Sequence, residues 1–251
     1  MSTPLFIGNN YIFLSETAST NSYLQSILRE QQLAEGAIVS TGFQSAGRGQ
    51  MGAVWESSRD QNIMLSVLLF PKFLNAGDQF LLSKAIALAV RDFVFSYLAD
   101  KQVKIKWPND ILVSGQKICG ILIENGLKGE KIDYSIVGIG INVNEKFNDK
   151  KRTSIKGMTG LDYDLRYIEK ILFSYIEARY LQLRSNEASI SADYLESLFG
   201  FGEKMLFTDH TKNEDFEGTI SDINQDGRLV INTDAGLRLF NMKEVGFTVN
   251  S

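Results

Sequence analysis

The apolar run at residues 62–71, which is Asn-Ile-Met-Leu-Ser-Val-Leu-Leu-Phe closed by Pro71, most constrains how this chain can fold. A run of this length that ends at a proline is typical of a strand buried inside a sheet. In residues 81–98, apolar residues recur at spacings of three and four, which predicts a helix with one buried face. The two patterns together predict a sheet covered by helices, in an α+β fold.

The rest of the first 199 residues adds strands and helices around this unit. Further strands are predicted at residues 37–43, 103–107, 117–124 and 134–144. Further helices are predicted at residues 19–32, 165–183 and 190–199. A glycine-rich loop is expected at residues 44–55 and a polar, basic loop at residues 148–152.

The pattern changes near residue 200, where short strands alternate with turn signals. The predicted strands lie at residues 204–208, 216–223, 229–233, 237–241 and 245–249. Asn-Gln-Asp-Gly at 224–227 and Asp-Ala-Gly at 234–236 are typical of turns between such strands. We therefore expect two domains, residues 1–199 and a small antiparallel barrel at residues 200–251. A barrel of this size is marginal alone, so it should pack on the larger domain.

The net charge of the chain and its low content of cysteine and histidine exclude several classes of function. The chain has 26 basic and 30 acidic residues and a net charge of −4, without the basic excess typical of DNA-binding proteins. Its single cysteine, Cys119, and single histidine, His210, exclude an internal disulfide framework and a histidine-rich metal centre. Residues 1–10 lack a signal-peptide pattern, and charges interrupt the apolar stretch at residues 80–98. We expect a cytoplasmic protein without a membrane partner or specific DNA.

Residues 47–52, Gly-Arg-Gly-Gln-Met-Gly, match the G-x-G-x-x-G pattern of dinucleotide-binding loops. That interpretation needs a helix directly after the loop, and residues 53–58 are a poor helix start. The glycines also fit a tight structural turn. In a third interpretation, backbone N–H groups and the Arg48 guanidinium bind an anion. The sequence favours this third interpretation.

Three other segments carry polar groups next to predicted strands. Residues 106–110, K-W-P-N-D, end a strand in a proline turn, which alone is ordinary turn chemistry. Residues 117–124 begin a buried strand with Lys117, which alone would be a solvated strand end. Residues 138–144, G-I-G-I-N-V-N, place glycines within a strand, for close backbone approach or tight sheet packing.

Taken in order, these segments resemble the biotin protein ligase family. The matching motifs are S-T-N at 19–21, the glycine-rich biotin loop at 44–55, K-W-P-N-D at 106–110, K-x-x-G-I-L-x-E at 117–124 and G-I-G-I-N-V-N at 138–144. They cover residues 15–145, and the rest of the chain is similar in layout.

The resemblance implies a mixed sheet with flanking helices, like that of class II aminoacyl-tRNA synthetases, and a small C-terminal SH3-like β-barrel. It implies that biotin attacks the α-phosphate of ATP, giving biotinyl-5′-AMP and pyrophosphate. A lysine of a biotin carboxyl carrier protein then attacks the activated carbonyl. ATP and Mg²⁺ are the implied cofactors, and biotin is the substrate. Relatives can pair through exposed sheet edges, so a homodimer is compatible with the resemblance, and the sequence leaves the oligomeric state open.

The same resemblance implies roles for individual residues. Lys117 and Arg48 are implied as catalytic, since both half-reactions develop charge at oxygens and need fixed donors. The implied biotin-binding residues are Ser19, Thr20, Asn21, Gln44, Arg48, Gly49, Gln50 and Lys117. The implied nucleotide-binding residues are Trp55, Lys106, Asn109, Asp110 and Asn142. The ligands of Mg²⁺ stay unknown.

Two features depart from many relatives. Gln50 and Ala53 occupy loop positions where an arginine is common, which predicts a weaker grip on the phosphate and the adenylate. Only 18 residues precede Ser19, too few for the N-terminal winged helix-turn-helix of repressor relatives. We therefore expect a monofunctional ligase.

Two alternatives stay open beside a biotin ligase. One is a lipoate or octanoate ligase of related fold, against which the K-W-P-N-D segment and the C-terminal barrel argue. The other is a non-catalytic biotin or nucleotide binding module, against which the retained Arg48, Lys106 and Lys117 argue.

Overall fold

The computed structural model describes residues 3–247 of the 251-residue chain. The strands of the larger sheet are β1 (Tyr11–Leu14), β2 (Ile38–Thr41), β3 (Asn62–Leu69), β4 (Val103–Lys106), β5 (Asp110–Val113), β6 (Gln116–Lys128) and β7 (Lys131–Asn142). The helices are α1 (Thr20–Glu30), α2 (Gln79–Tyr97), α3 (Ile155–Thr159), α4 (Leu165–Ser185) and α5 (Glu187–Ser197). The C-terminal strands are β8 (Lys204–Asp209), β9 (Glu214–Ile223), β10 (Leu229–Thr233), β11 (Gly236–Phe240) and β12 (Val245–Phe247).

The larger sheet has the strand order β1-β2-β3-β7-β6-β5-β4. Strands β1 and β2 run parallel, and every other neighbouring pair is antiparallel. Strand β3 lies inside the sheet between β2 and β7, and all eight of its residues are buried. The apolar run therefore forms the interior strand that it predicts.

The two faces of this sheet carry side chains of different size, since successive residues of a strand point to opposite faces. On one face, Leu65 and Val67 of β3 join the main core with residues of α2 and α4. On the other face, Leu68 packs with Leu24 of α1. Further along that second face, Ser66 lies opposite Gly138 of β7. These small residues leave space beside α1, where the sheet can accept a ligand.

The C-terminal strands form a five-stranded antiparallel sheet in the order β11-β10-β9-β8-β12. Three aromatic rings stack inside it, with Phe216 placed 5.5 Å from both Phe207 and Phe240, measured between ring centroids. The fold class expected from the sequence is confirmed: a mixed sheet with flanking helices, followed by a small all-β module.

The two sheets share one buried core. Phe207 and Leu229 of the C-terminal module belong to the same cluster as Ile105 and Leu198. The indole N–H of Trp107, in the K-W-P-N-D segment, donates to the Gly227 carbonyl at 2.9 Å. The small module packs on the larger one, as its size requires, and two separate domains at 1–199 and 200–251 stay a prediction.

The sequence patterns did not predict three short elements, namely β1, β5 and α3. Each has four or five residues, too few for a periodic pattern to develop. The predicted last strand at 245–249 is seen as β12, and residues 248–249 lie outside the described residues.

Helix α2 is rich in apolar residues, but it carries Lys84, Arg91 and Asp92 within its 19 residues. Across residues 3–247, no helix has both the length and the apolar character needed to cross a bilayer.

Candidate active site

A cavity of about 240 Å³ lies between the second face of the large sheet, the start of α1 and the glycine-rich loop. The predicted site residues that line it are Ser19, Thr20, Asn21, Gln44, Arg48, Gly49, Gln50, Trp55, Asn109, Asp110 and Lys117. Gly138 and Gly140 of β7 line it too, so all five sequence motifs meet at one place.

The start of α1 presents a cluster of neutral polar groups to the cavity. The Gln44 side-chain oxygen accepts from the Thr20 backbone N–H at 2.8 Å. The Ser66 hydroxyl lies 2.7 Å from the Thr20 hydroxyl and 2.5 Å from the Asn21 side-chain oxygen. Because Thr20, Asn21 and Ser66 are almost fully buried, these bonds fix the orientation of each group.

Arg48 reaches this cluster from the glycine-rich loop. Its guanidinium lies 2.8 Å from Glu124 of β6, and the same carboxylate oxygen accepts from the Asn21 side-chain amide at 2.8 Å. Glu124 therefore links the loop to α1 and holds Arg48 at the cavity. The pair is about two-fifths exposed, so an incoming anion can reach the guanidinium.

Lys117 is the second residue of strand β6. Its ammonium lies 2.6 Å from the carboxylate of Asp110, which begins β5. The neighbouring amide of Asn109 donates to the Ile121 carbonyl at 2.7 Å, so the K-W-P-N-D turn is fixed against β6. The ion pair holds the lysine nitrogen in one position beside the cavity, as a charge donor needs.

Trp55 lies flat on two glycines that face each other across β6 and β7. Gly120 and Gly140 are paired, and a Cβ at Gly140 would come within 2.5 Å of the indole ring. The ring centroid is 5.9 Å from the Lys117 ammonium. The buried indole N–H has no hydrogen-bond partner among the described residues. The glycines thus make room for an aromatic surface next to the two cations.

The glycine-rich loop is a short hairpin. The N–H of Gly49 donates to the Ala53 carbonyl at 2.7 Å, and the N–H of Trp55 donates to the Gly47 carbonyl at 3.0 Å. Met51 at its tip has a φ of +51°. Strand β3 follows the loop, whereas the dinucleotide-binding interpretation requires a helix, so that interpretation has no support.

Two residues of the C-terminal module line the same cavity, Met242 and Lys243. The Lys243 ammonium donates to the Met51 carbonyl at 2.7 Å. The Gln50 amide donates to the Met242 sulfur at 2.8 Å. The sequence offered no signal for these residues, since they lie almost 200 positions from the loop. Ser66 was also missed, although it stands out as the polar residue within the apolar run.

Lys106 and Asn142 were implied as nucleotide-binding residues, yet neither lines the cavity. The Asn142 amide is buried and donates to the Thr153 carbonyl at 3.0 Å. Its observed contact joins β7 to the segment before α3. Lys106 ends β4 and is half-buried. A direct role for these two side chains stays a prediction.

No cavity-lining side chain in the described chain is a cysteine or histidine. Cys119 is fully buried, and burial raises the pKa of its thiol well above the usual range. Lysine, arginine and amide donors dominate instead. Such a site can orient two substrates and stabilise developing negative charge, without a covalent intermediate on the protein.

Comparison with known proteins agrees with this geometry. The family model of the biotin/lipoate A/B protein ligase family matches residues 13–142. The chain is 30% identical over 240 residues to the bifunctional ligase/repressor BirA of Bacillus subtilis, covering 92% of this chain and 72% of that protein. It is 29% identical over 222 residues to the biotin–[acetyl-CoA-carboxylase] ligase of Mycobacterium tuberculosis, covering 87% of this chain and 81% of that protein.

A solved structure shows the same fold. The biotin protein ligase from Aquifex aeolicus, in complex with biotin and ATP, matches with a TM-score of 0.75 and 24% identity. The match covers 96% of this chain and 100% of that one. With the family match over about half of the chain and the matching fold, the chain belongs to the biotin/lipoate A/B protein ligase family.

Proposed function

We propose that this chain is a biotin protein ligase, which forms biotinyl-5′-AMP from biotin and ATP and transfers biotin to a carrier lysine. The observation that carries the proposal is one cavity in which a neutral hydrogen-bonding cluster adjoins Arg48 and Lys117. Its relatives include a named biotin–[acetyl-CoA-carboxylase] ligase, and the matching Aquifex structure holds biotin and ATP.

The neutral cluster suits the ureido head of biotin. A ureido group has two N–H donors and one carbonyl acceptor, and carries no charge. Thr20, Asn21 and Gln44 offer hydroxyl and amide groups of both kinds in fixed positions. Their burial makes recognition selective, because a ligand without matching groups would leave them unpaired.

The two cations suit the reacting end. In the first half-reaction a biotin carboxylate oxygen attacks the α-phosphorus of ATP, and the bond to the pyrophosphate oxygen breaks. Pyrophosphate leaves with the electron pair. The Arg48 guanidinium would hold the carboxylate and phosphate oxygens together. Lys117, fixed by Asp110, would stabilise the charge at phosphorus in the transition state.

In the second half-reaction the neutral amine of a carrier lysine attacks the biotinyl carbonyl. The carbonyl–phosphate bond breaks, AMP leaves as the anion, and the amide nitrogen loses a proton to solvent. Lys117 and Arg48 would again stabilise the leaving phosphate. Trp55, which lies over Gly120 and Gly140, would supply the flat surface for adenine.

Mg²⁺ would enter bound to the phosphates of ATP. Across residues 3–247, no three His, Cys, Asp or Glu side chains converge as a metal site. Mg²⁺ usually keeps several waters and binds substrate phosphates with one or two carboxylates, so the Asp110 carboxylate at the cavity fits this mode. The ion would shield the phosphate charge.

The remaining expectations concern partners and location. We propose a biotin carboxyl carrier protein as the acceptor and a cytoplasmic location. We also propose that the chain binds no specific DNA, and its net charge of −4 supports this last point. Strands β1 and β4 end the large sheet, but the Phe199 N–H donates to the Ile105 carbonyl of β4, so a homodimer would pair through the β1 edge.

The test uses the purified chain with ATP, Mg²⁺, one acid and a carrier domain, followed by mass measurement of the carrier. Biotin should give pyrophosphate release and a carrier heavier by one biotinyl group. Lipoate and octanoate, run in parallel, should give neither product. Modification with lipoate or octanoate alone would support the alternative ligase, and biotin binding without any acylation would support a binding module.

A further inference from the structure

The C-terminal module reaches the active-site cavity through the turn between β11 and β12, residues 241–244. The turn is fixed internally, since Glu244 accepts from the Asn241 backbone N–H at 2.7 Å and from its side-chain amide at 3.0 Å. From this turn Lys243 extends over the tip of the glycine-rich loop and donates to the Met51 carbonyl at 2.7 Å.

The backbone of Lys243 is unusual. Its φ is +67°, in the left-handed region where glycine or asparagine is favoured and a long side chain costs free energy. Residues held in such conformations tend to occur where function needs the side chain. Here the conformation directs an ammonium group toward the cavity.

The Lys243 ammonium differs from the other cations of the cavity in the kind of group that it contacts. Three cations line the cavity in the described part of the chain, namely Arg48, Lys117 and Lys243. Arg48 faces the Glu124 carboxylate and Lys117 faces the Asp110 carboxylate. The observed partner of Lys243 is a neutral carbonyl, and no carboxylate of residues 3–247 forms an ion pair with its ammonium group. An anion in the cavity could take that place.

We propose that Lys243 binds the phosphates of ATP and of the acyl-adenylate. Through its contact with Met51 it also holds the glycine-rich loop closed over the bound intermediate. Its positive charge thereby replaces the charge of a loop arginine, which this chain lacks because Gln50 and Ala53 occupy the positions where an arginine is common. This inference rests on the proposed function. Lys243 is a binding and positioning residue, and its expected effect falls on the nucleotide rather than on the biotin head, which α1 holds.

The experiment compares the full chain with Lys243→Asn, Lys243→Arg and Lys212→Asn. Asparagine tolerates the left-handed backbone and removes the charge, and arginine restores the charge. Lys212 is an exposed lysine of the same module that does not line the cavity, so it controls for net charge. The measurements are KM for ATP, kcat of adenylate formation, the dissociation constant of biotin, and the release rate of biotinyl-5′-AMP.

Lys243→Asn should raise KM for ATP and the release rate each by about tenfold, the effect of losing one charge-assisted bond. The dissociation constant of biotin should stay within about twofold of the starting protein. Lys243→Arg should restore both nucleotide parameters, and Lys212→Asn should change neither.

Unchanged KM for ATP and unchanged release in Lys243→Asn would overturn this inference while leaving the ligase function intact. A parallel loss of biotin affinity would also overturn it, since that pattern indicates a structural role. If Lys243→Asn fails to fold, Lys243→Gln keeps the aliphatic stem and gives the same comparison. A starting protein that forms no adenylate would refute the proposed function first.

Discussion

The sheet side of the cavity and its glycine-rich loop differ in how their residues are held. On the sheet side, Thr20, Asn21 and Ser66 are at most 3% exposed and hydrogen-bond one another. In the loop, Met51 and Val54 are 58% and 70% exposed. The loop is held by its own hairpin bonds, by the Arg48–Glu124 ion pair at its base, and by two contacts at its tip, which Met242 and Lys243 of the C-terminal module supply.

This difference separates two tasks of the proposed enzyme. A rigid, buried cluster can select one neutral head group, because mismatched groups would stay unpaired. An exposed loop with few anchors can open for entry and close on the intermediate, because such regions have low local stability. Changes on the sheet side should therefore affect biotin, and changes in the loop should affect retention of the adenylate. Lys117, between the two, should affect the chemistry itself.

The largest effect is expected from Lys117→Ala. Loss of a fixed charge donor typically costs about 3–4 kcal/mol of transition-state stabilisation, or about two to three decades in rate. Adenylate formation should fall by that factor while biotin still binds, as measured by pyrophosphate release and by calorimetry. Lys128→Ala, at the exposed far end of the same strand, is the control. A Lys117→Ala rate within twofold of the starting protein would remove Lys117 from the chemistry.

A smaller effect, confined to the sheet side, is expected from Gly138→Ala. A Cβ at Gly138 would overlap the side-chain oxygen of Asn21, so the neutral cluster must shift. Loss of one or two hydrogen bonds should weaken biotin binding by about tenfold, at nearly unchanged KM for ATP. Gly77→Ala is the matched control, since a Cβ there has no neighbour within 4 Å. An equal loss for ATP would show that the two sides are not separable.

The smallest effect is expected from Gln50→Arg in the loop. A guanidinium there can add a forked bond to the phosphate, yet Lys243 already supplies a cation at that side of the cavity. Release of biotinyl-5′-AMP should slow only about threefold, and by about tenfold in the Lys243→Asn background, because the two cations share one anion. Rapid dilution and labelling of bystander lysines measure the release. Equal slowing in both backgrounds would show that the two positions act independently.

Local patterns were enough to predict most of the elements. The run around Ser66 predicted an interior strand, and the spacing of apolar residues predicted α2 closely. Most of the predicted site residues line the cavity, because the order of the motifs identified them; these are Ser19, Thr20, Asn21, Gln44, Arg48, Gly49, Gln50, Trp55, Asn109, Asp110 and Lys117. The short elements β1, β5 and α3 were missed because pairing and packing with distant segments stabilise them.

The sequence by itself determined the fold class, the glycines within the predicted strands and the charged groups of the loop and β6, because local patterns and motifs carry this information. Only the tertiary structure decided what each charge faces. It paired Arg48 with Glu124 and Lys117 with Asp110, and it brought Lys243 to Met51. Charges interact through space, so the folding of the loop, β5 and β6 sets the first two distances, and packing of the C-terminal module on the larger sheet brings Lys243 to the loop.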